Sequence, residues 1–279
     1  MPNLKDVRTR IDSVNSTKQI TSAMKMVAAS KLRKSQNAIN NMRPYAAKLN
    51  EILQNLNANL DKESIGEYGQ ERELKRVLLV AITSNRGLCG AFNSNIIKAT
   101  QRQLTDEFAD LHAAGKVDIM TVGKKASEYF SKKGYQHISS HDDLFNELNF
   151  EEVFPLAEEL MAQFSSKVYD RIIIVYNHFK NAATQIVTAE QLLPVSSDEQ
   201  ASESKMQSDY LFEPGREEIV ENLIPTILKV QFYKALLDSY AAEHGARMLA
   251  MSQATDNATE LIKDLKLQYN KARQAAITG

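Results

Sequence analysis

The sequence predicts an α/β protein in which a long antiparallel coiled coil, formed by the N- and C-terminal helices, carries an inserted α/β domain of largely parallel sheet. Small and apolar side chains recur at alternating steps of three and four residues near both ends of the chain, as a coiled coil requires. Between the ends, apolar runs of strand length alternate with helical segments. A helix of about sixty residues is about 90 Å long, so we expect the pair to project from the domain.

The C-terminal helix is predicted from a regular seam. Its positions are Leu237, Ala241, His244, Met248, Met251, Thr255, Ala258, Ile262, Leu265, Tyr269, Ala272 and Ala276. The N-terminal helix follows one heptad register, with core positions at Leu4, Val7, Ile11, Val14, Ala28, Leu32, Ile39, Met42, Ala46, Leu49, Leu53, Leu56 and Leu60. Because the domain is inserted between the two helices, we expect them to pack antiparallel. Pro44 is expected to kink the first helix or to end its straight part.

The N-terminal register contains a fault. Its core positions include four polar residues, Lys18, Thr21, Lys25 and Ser35, whereas Ile20, Met24 and Val27 lie one residue early. A drift of the apolar stripe by one residue indicates a helix that leaves the 3.5-residue repeat and runs straighter. With the small seam residues of the C-terminal helix, this predicts a thin rod. An ordinary helix pair of a bundle is the alternative that periodicity alone leaves open.

Five segments are expected along the chain. They are an N-terminal helix at 1–60, a charged linker at 61–72, the α/β domain at 73–195, an acidic loop at 196–216 and a C-terminal helix at 217–279. The apolar run within 76–83 predicts a strand buried on both faces. Further strands are expected at 116–122, 135–139, 171–176 and 185–193, the last as a hairpin partner. Helices are expected at 93–114, at 124–133 and from Pro155 to Val168.

Charge is distributed unevenly, although the net charge is only −1. Residues 13–50 contain seven basic residues and no acidic one. An acid-free basic helix indicates an anionic partner, such as nucleic acid, a membrane surface or an acidic protein segment, and a solvated helix face is the alternative. The N-terminus lacks the apolar core of a signal peptide, and no run reaches about twenty apolar residues. We therefore expect a cytoplasmic protein without direct membrane insertion.

The turn at 84–90 is the candidate for phosphate chemistry. Gly87 and Gly90 complete neither a dinucleotide fingerprint nor a phosphate loop, so a structural turn is favoured over nucleotide binding. Cys89 could be an activated thiol or a buried turn residue, and as the single cysteine it cannot form an internal disulfide. The five histidines include no pair at metal-ligand spacing on one predicted helix, so no metal or cofactor is expected. His244 is expected to be a polar core residue.

Four stretches carry a resemblance that covers nearly the whole chain: ITSAMKMVAASKL at 20–32, SNRGLCGAFN at 84–93, EHGARM at 243–248 with ATDNA at 254–258, and YNKARQA at 269–275. Together they closely resemble the gamma subunit of the bacterial F-type ATP synthase. The resemblance implies a rotor shaft that couples proton-driven rotation of a membrane ring to ATP synthesis or hydrolysis in a ring of alpha and beta subunits. It implies a non-catalytic subunit at the cytoplasmic face of the bacterial inner membrane, with the alpha, beta, epsilon and membrane-ring c subunits as partners.

The resemblance also implies contact residues, carried over position by position. Contacts with the beta subunit, whose acidic segments would be the anionic partner, are implied at Lys18, Met24, Lys25, Lys31, Arg273, Gln274 and Thr278. Contacts with the membrane ring or the epsilon subunit are implied at Tyr210, Phe212 and Glu213. The family commonly continues past Thr278 with acidic residues, whereas this sequence stops at Gly279. Without the resemblance, two other functions stay open: a basic coiled coil that binds nucleic acid or acts as a scaffold, and an enzyme that uses the 84–90 turn.

Overall fold

The structure, a computed structural model, describes residues 4–57, 67–70, 72–145, 148–195 and 216–278, without the side chains of 43, 50–57, 216–222 and 278. Its long terminal helices are α1 (Leu4–Asn57) and α6 (Arg216–Thr278). The strands between them are β1 (Val77–Ile82), β2 (Val117–Val122), β3 (His137–Ser140), β4 (Arg171–Phe179) and β5 (Gln185–Leu193). The shorter helices are α2 (Phe92–Arg102), α3 (Ala109–Ala113), α4 (Lys124–Lys132) and α5 (Phe150–Ser165).

The five strands form one sheet in the order β3-β2-β1-β4-β5. All pairings are parallel except that of β4 with β5, which is antiparallel. Helices cover both faces, which explains why every residue of β1 is buried and apolar. Ile96 of α2 and Phe130 of α4 pack on one face, and Leu160 of α5 and Phe232 of α6 pack on the other. The predicted α/β domain with a largely parallel sheet is confirmed.

The two terminal helices pack antiparallel, as predicted. Thr21 of α1 contacts Thr255 of α6, whereas Leu49, much later in α1, clusters with Ile227, much earlier in α6. The same pairing brings Leu4 about level with Ala272. The predicted seam of α6 is buried or half-buried from Leu237 to Ala272, and Ala276, which lies beyond that level, is exposed.

The coil projects beyond the domain. Gly245 of α6 still touches the β4–β5 turn, where an added Cβ would lie 3.2 Å from the Cα of Ala182. After Met248, the buried side chains of α6 are Met251, Ala258 and Leu265, all on the seam that faces α1. At 1.5 Å per residue, the thirty or so residues that remain extend about 45 Å from this point.

Several element limits differ from the sequence prediction. The single helix expected at 93–114 is divided by a π-helical turn at Gln103–Glu107, and both Leu104 and Phe108 are buried there. Helix α5 begins before Pro155, because the Asn149 side chain accepts a hydrogen bond from the Glu152 backbone N–H at 2.8 Å and caps a start at Phe150.

Two further expectations concern α1 and the acidic loop. Helix α1 continues through Pro44 as one element. Of the acidic loop expected at 196–216, residues 196–215 lie outside the described residues, and α6 begins at its last position, Arg216. The proposed domain limits at 1–60, 73–195 and 217–279 therefore stay a prediction.

Candidate interaction surface of the coiled coil

In the projecting part of the coil, which we call the upper coil, the buried seam includes a polar residue, Thr21, in the region where the sequence suggested a drift. Thr21 and Ala28 are 8% and 1% exposed, whereas Ile20 and Val27 are 60% and 59% exposed. The Thr21 and Thr255 hydroxyls lie 2.8 Å apart and hydrogen bond across the seam. The expected one-residue shift of the buried stripe is therefore wrong. The buried stripe keeps the heptad register at Thr21 and Ser35, whose hydroxyls are hydrogen bonded, whereas Lys25, also expected in the core, is exposed because its ammonium group stays in solvent.

The displaced apolar residues share one outer face of α1. Ile20, Met24, Val27, Lys31 and Lys34 follow steps of four and three residues, which places them in one row along the helix. We call this row the flank stripe. Met24 is half-buried and the other four are exposed. The stripe presents apolar groups followed by two ammonium groups, a combination that suits a partner with both apolar and acidic side chains.

Three predicted contact residues of α1 are lysines, two at the seam with α6 and one within the stripe. Lys18 is half-buried at the seam, and the Lys25 ammonium donates to the Ser252 hydroxyl of α6 at 3.0 Å. Lys31 is exposed within the stripe. Sequence reasoning missed Met26, which is 66% exposed and adjoins the stripe. The sequence pattern did not indicate this exposed residue, because Met26 belongs neither to the heptad core positions nor to the apolar residues that lie one position early.

The end of α6 forms a second exposed surface. The side chains of Arg273 and Gln274 are exposed there, as is Ile277, which the sequence reasoning did not single out. The Thr278 side chain lies outside the described residues. So do Tyr210, Phe212 and Glu213, whose implied contact with a membrane ring or an epsilon subunit stays a prediction.

A buried ion pair joins the coil to the domain. The Arg247 guanidinium donates to the Glu243 carboxylate at 2.5 Å, and both side chains are largely shielded from solvent. The same guanidinium donates to the carbonyl oxygen of Arg86 at 2.9 Å and of Gly87 at 3.3 Å. Burial raises the pKa of Glu243, while the charges of Arg247 and Lys31 oppose that rise. The i, i+4 spacing of this pair was visible in the EHGARM motif, but its contact with the turn was not.

His244 lies inside the same cluster, as a polar core residue of the coil. Its Nδ1 is 3.3 Å from Nη1 of Arg247, and its ring meets the Tyr240 ring edge to face. Burial, followed by the charges of Arg247 and Lys31, lowers its pKa to about 3. The ring is therefore neutral at physiological pH. Its Nε2 is buried and has no hydrogen-bond partner among the described residues.

The 84–90 turn is held as a structural element. Its carbonyl groups at Arg86 and Gly87 point to the Arg247 cation, an arrangement opposite to the N–H groups that cradle phosphate. Cys89 is buried, and the Asn93 amide donates to its sulfur at 3.3 Å. Burial raises the pKa of the Cys89 thiol, which opposes activation. These contacts support the structural interpretation of the turn over the nucleotide-binding one.

The described residues contain no group of three or more His, Cys, Asp or Glu side chains placed to hold a metal ion. Among the helices that the structure describes, none is long and apolar enough to cross a membrane.

Comparisons with known proteins give a consistent result. A family model described as ATP synthase matches residues 3–279. Proteins named ATP synthase gamma chain from Christiangramia forsetii and Flavobacterium johnsoniae are 55% and 56% identical to this chain over 279 residues, covering 100% of it and 95% of their own length.

Solved structures agree with this match. The central stalk and c-ring assembly of the Tetrahymena thermophila mitochondrial ATP synthase contains a chain with a TM-score of 0.64 and 28% identity, over 84% of this chain and 99% of that one. The rotor of the Euglena gracilis mitochondrial ATP synthase contains a chain with the same fold, at a TM-score of 0.67 and 24% identity, over 98% of each chain.

Proposed function

Because this chain belongs to the gamma-chain family of the ATP synthase, we propose that it is the central shaft that carries rotation between a membrane ring and a ring of catalytic alpha and beta subunits. The flank stripe and the exposed end of α6 are the surfaces that would meet the catalytic ring. The comparisons support this function over the nucleic-acid-binding or scaffold alternative.

The main support for the proposal is that the single helix α6 forms one half of the coiled coil and also packs into the core of the domain. Phe232 packs under the sheet, whereas Met251 and Leu265 of the same helix face α1 in the projecting coil. The His178 ring nitrogen and the Asp238 carboxylate, 2.8 Å apart, fasten β4 to this helix. A turning force applied to the domain would pass into the coil through one unbroken helix, without a hinge.

We further propose that the chain is a non-catalytic subunit and that ATP chemistry belongs to its partners. The carbonyl groups of the 84–90 turn already bind Arg247, which leaves that turn unsuited to phosphate. The proposed partners are the alpha and beta subunits, the epsilon subunit and the c subunits of the membrane ring. The proposed location is the cytoplasmic face of the bacterial inner membrane, and the complex is a proton-translocating ATP synthase.

The beta-subunit contacts are proposed at Lys18, Met24, Lys25 and Lys31 of α1 and at Arg273, Gln274 and Thr278 of α6. The three ammonium groups lie on the segment 13–50 of α1, which contains no acidic residue, so acidic loops of the beta subunit are the expected partners. The ring or epsilon contact is proposed at Tyr210, Phe212 and Glu213.

Reconstitution tests the proposal. The purified chain should form a stoichiometric complex with alpha and beta subunits, and that complex should hydrolyse ATP faster than alpha and beta subunits alone. Replacing Lys18, Lys25 and Lys31 together by Gln should lower that stimulation while the chain keeps its helical circular dichroism. Single changes should have small effects, because exposed ion pairs contribute little individually.

The matched control replaces three exposed lysines of the domain, Lys98, Lys124 and Lys132, by Gln. This variant loses the same charge and should stimulate normally. Failure of the wild-type chain to form the complex would overturn the proposed function. Equal behaviour of the two triple variants would instead show that the basic face is only solvated.

A further inference from the structure

An open cleft lies at the edge of the sheet where β1, β2 and β4 begin. Its volume is about 860 Å³. The residues that line it are Gln70, Arg72, Glu73, Lys75, Arg76, Gly115, Lys116, Lys167, Val168 and Asp170. Five of these side chains are cationic and two are anionic, in a chain whose net charge is −1. The cleft is therefore a local concentration of positive charge.

The anionic groups of the cleft are already engaged. The Asp170 carboxylate accepts hydrogen bonds from the backbone N–H groups of Lys75 and Arg76, both at 2.9 Å. Glu73 lies 3.3 Å from the Lys75 ammonium. Beneath the cleft, the buried Asp118 carboxylate pairs with Arg76 at 3.0 Å. Lys75 and Arg76 are thus balanced by carboxylates.

Three cations of the cleft have no carboxylate partner among the described residues. Arg72 donates one hydrogen bond to the carbonyl oxygen of Phe164 at 3.0 Å, and its guanidinium stacks 4.5 Å from the centre of the Phe164 ring. These contacts hold the guanidinium in place and leave further N–H donors available. Lys116 and Lys167 are exposed. Lys167 has φ of 60°, a left-handed conformation that glycine or asparagine usually takes.

The geometry points to a binding site for a phosphate group in this cleft. One fixed guanidinium supplies a planar fork of donors, and two lysines supply point charges around the same concave surface, the combination that suits a compact ligand with several negative oxygens. A free phosphate compound and a phospholipid headgroup share this chemistry. The site itself is inferred from the cleft and does not depend on the proposed function.

The position of the cleft favours the lipid source. The C-terminal end of β4, at His178 and Phe179, lies beside Asp238 and Gly245 of α6. The cleft lies at the opposite, N-terminal end of the strand. It therefore faces the beginning of α6 and points away from the C-terminal end of that helix, where the coil ends. If the chain is the proposed shaft, this end of the domain faces the membrane. This preference for a lipid, unlike the site, rests on the proposed function.

Binding of the 279-residue chain to vesicles and to pyrophosphate tests the inference. Vesicles of phosphatidylcholine alone are compared with vesicles that also contain phosphatidylglycerol, by co-sedimentation, and pyrophosphate is titrated by calorimetry. The test variant replaces Lys116 and Lys167 by Gln. The control variant replaces Lys98 and Lys124 by Gln, which removes the same charge from exposed positions outside the cleft.

The expected result is binding to the anionic vesicles that weakens about thirtyfold in the test variant and little in the control, since each lysine near an anionic surface contributes about fivefold. Pyrophosphate binding that is lost only in the test variant, without vesicle binding, would support the site with a free phosphate compound as its ligand. Equal behaviour of the two variants with both probes would overturn the inference, because binding would then follow overall charge or the basic helix α1. Failure to assemble with alpha and beta subunits would leave this result unaffected.

Discussion

Removing the guanidinium of Arg247 should destabilise the chain by about 3–5 kcal/mol. The change Arg247→Met keeps the unbranched stem of the side chain and removes every donor. Glu243 is then left buried without its partner, and a buried ion pair broken on one side costs about this much. The Gly87 carbonyl loses its guanidinium donor in the same step, and the Arg86 carbonyl keeps the Ser84 hydroxyl, which donates to it at 2.7 Å.

The double variant separates the ion pair from the rest of the cluster. Adding Glu243→Leu to Arg247→Met removes the unpaired charge, so about 2–3 kcal/mol should be regained. The Gly87 carbonyl would still lack the Arg247 donor, and the Arg86 carbonyl would keep the Ser84 hydroxyl without the guanidinium, which leaves a residual loss of about 1–2 kcal/mol. A loss in the double variant that equals the sum of the two single losses would show that the side chains do not interact.

The loss should also depend on pH. Burial raises the pKa of Glu243 above its ordinary value of 4.5, and removing the Arg247 charge raises it further. A carboxyl whose pKa is raised in the folded state disfavours folding above its unfolded pKa, and this penalty disappears as the pH falls through that value. The deficit of Arg247→Met should therefore be smaller at pH 5 than at pH 7.5.

Urea unfolding followed by circular dichroism measures these changes as shifts in the free energy of unfolding. The matched control is Arg273→Met, which removes an arginine from an exposed position of the same helix and should change stability by less than about 0.5 kcal/mol. If Arg247→Met and Arg273→Met lost the same stability, the argument for a buried coil-to-domain pair would be refuted.

Three further predictions address His244, Cys89 and the end of the coil. Because the folded state keeps His244 neutral down to a pKa of about 3, the unfolding free energy of wild type should fall by about 2 kcal/mol relative to His244→Gln between pH 7.5 and 5, measured in urea. The Cys89 thiol should react with a disulfide reagent only after unfolding, and Cys89→Ser should not alter any response of the assembled complex to oxidants. Replacing Arg273 and Gln274 by Ala should lower steady-state ATP turnover of the complex several-fold without loss of helicity, and unchanged turnover would contradict a role for this surface.

The overall arrangement was predictable because it depends on periodicity, which is local information. The spacing of the seam from Leu237 to Ala272 predicts a buried helix face, and the continuous apolar run of β1 predicts a strand buried on both sides. The position of α5 was not read correctly, since Pro155 was given more weight than the cap at Asn149. Pro155, the sixth residue of α5, has no N–H for the carbonyl four residues earlier and crowds that carbonyl, and the Asn149 cap and the buried face of α5 outweigh this cost.

The upper coil was misread because apolar character was equated with burial. Thr21 is buried since Thr255 supplies a hydrogen-bond partner from the other helix, and that partner is 234 positions away in the sequence. The Arg247 contact with the turn has the same character. Its spacing from Glu243 is local, but the carbonyl groups that it binds come from a turn about 160 positions earlier. Contacts of this kind depend on the assembled fold, which no local pattern contains.

Most of the apolar residues in and beside the flank stripe are exposed in the isolated chain, and a partner in a complex would cover them. Ile20, Met26 and Val27 are each about 60% exposed or more. Since full burial of such a side chain contributes about 1.5–3 kcal/mol, the isolated coil leaves roughly 3–5 kcal/mol of hydrophobic stabilisation unrealised in less than three turns of helix. A partner that covers this face would realise part of that energy, reduced by the cost of association. Backbone amides around residues 20–27 should therefore exchange faster with solvent in the isolated chain than in the assembled complex, and equal exchange rates would mean that this face stays uncovered.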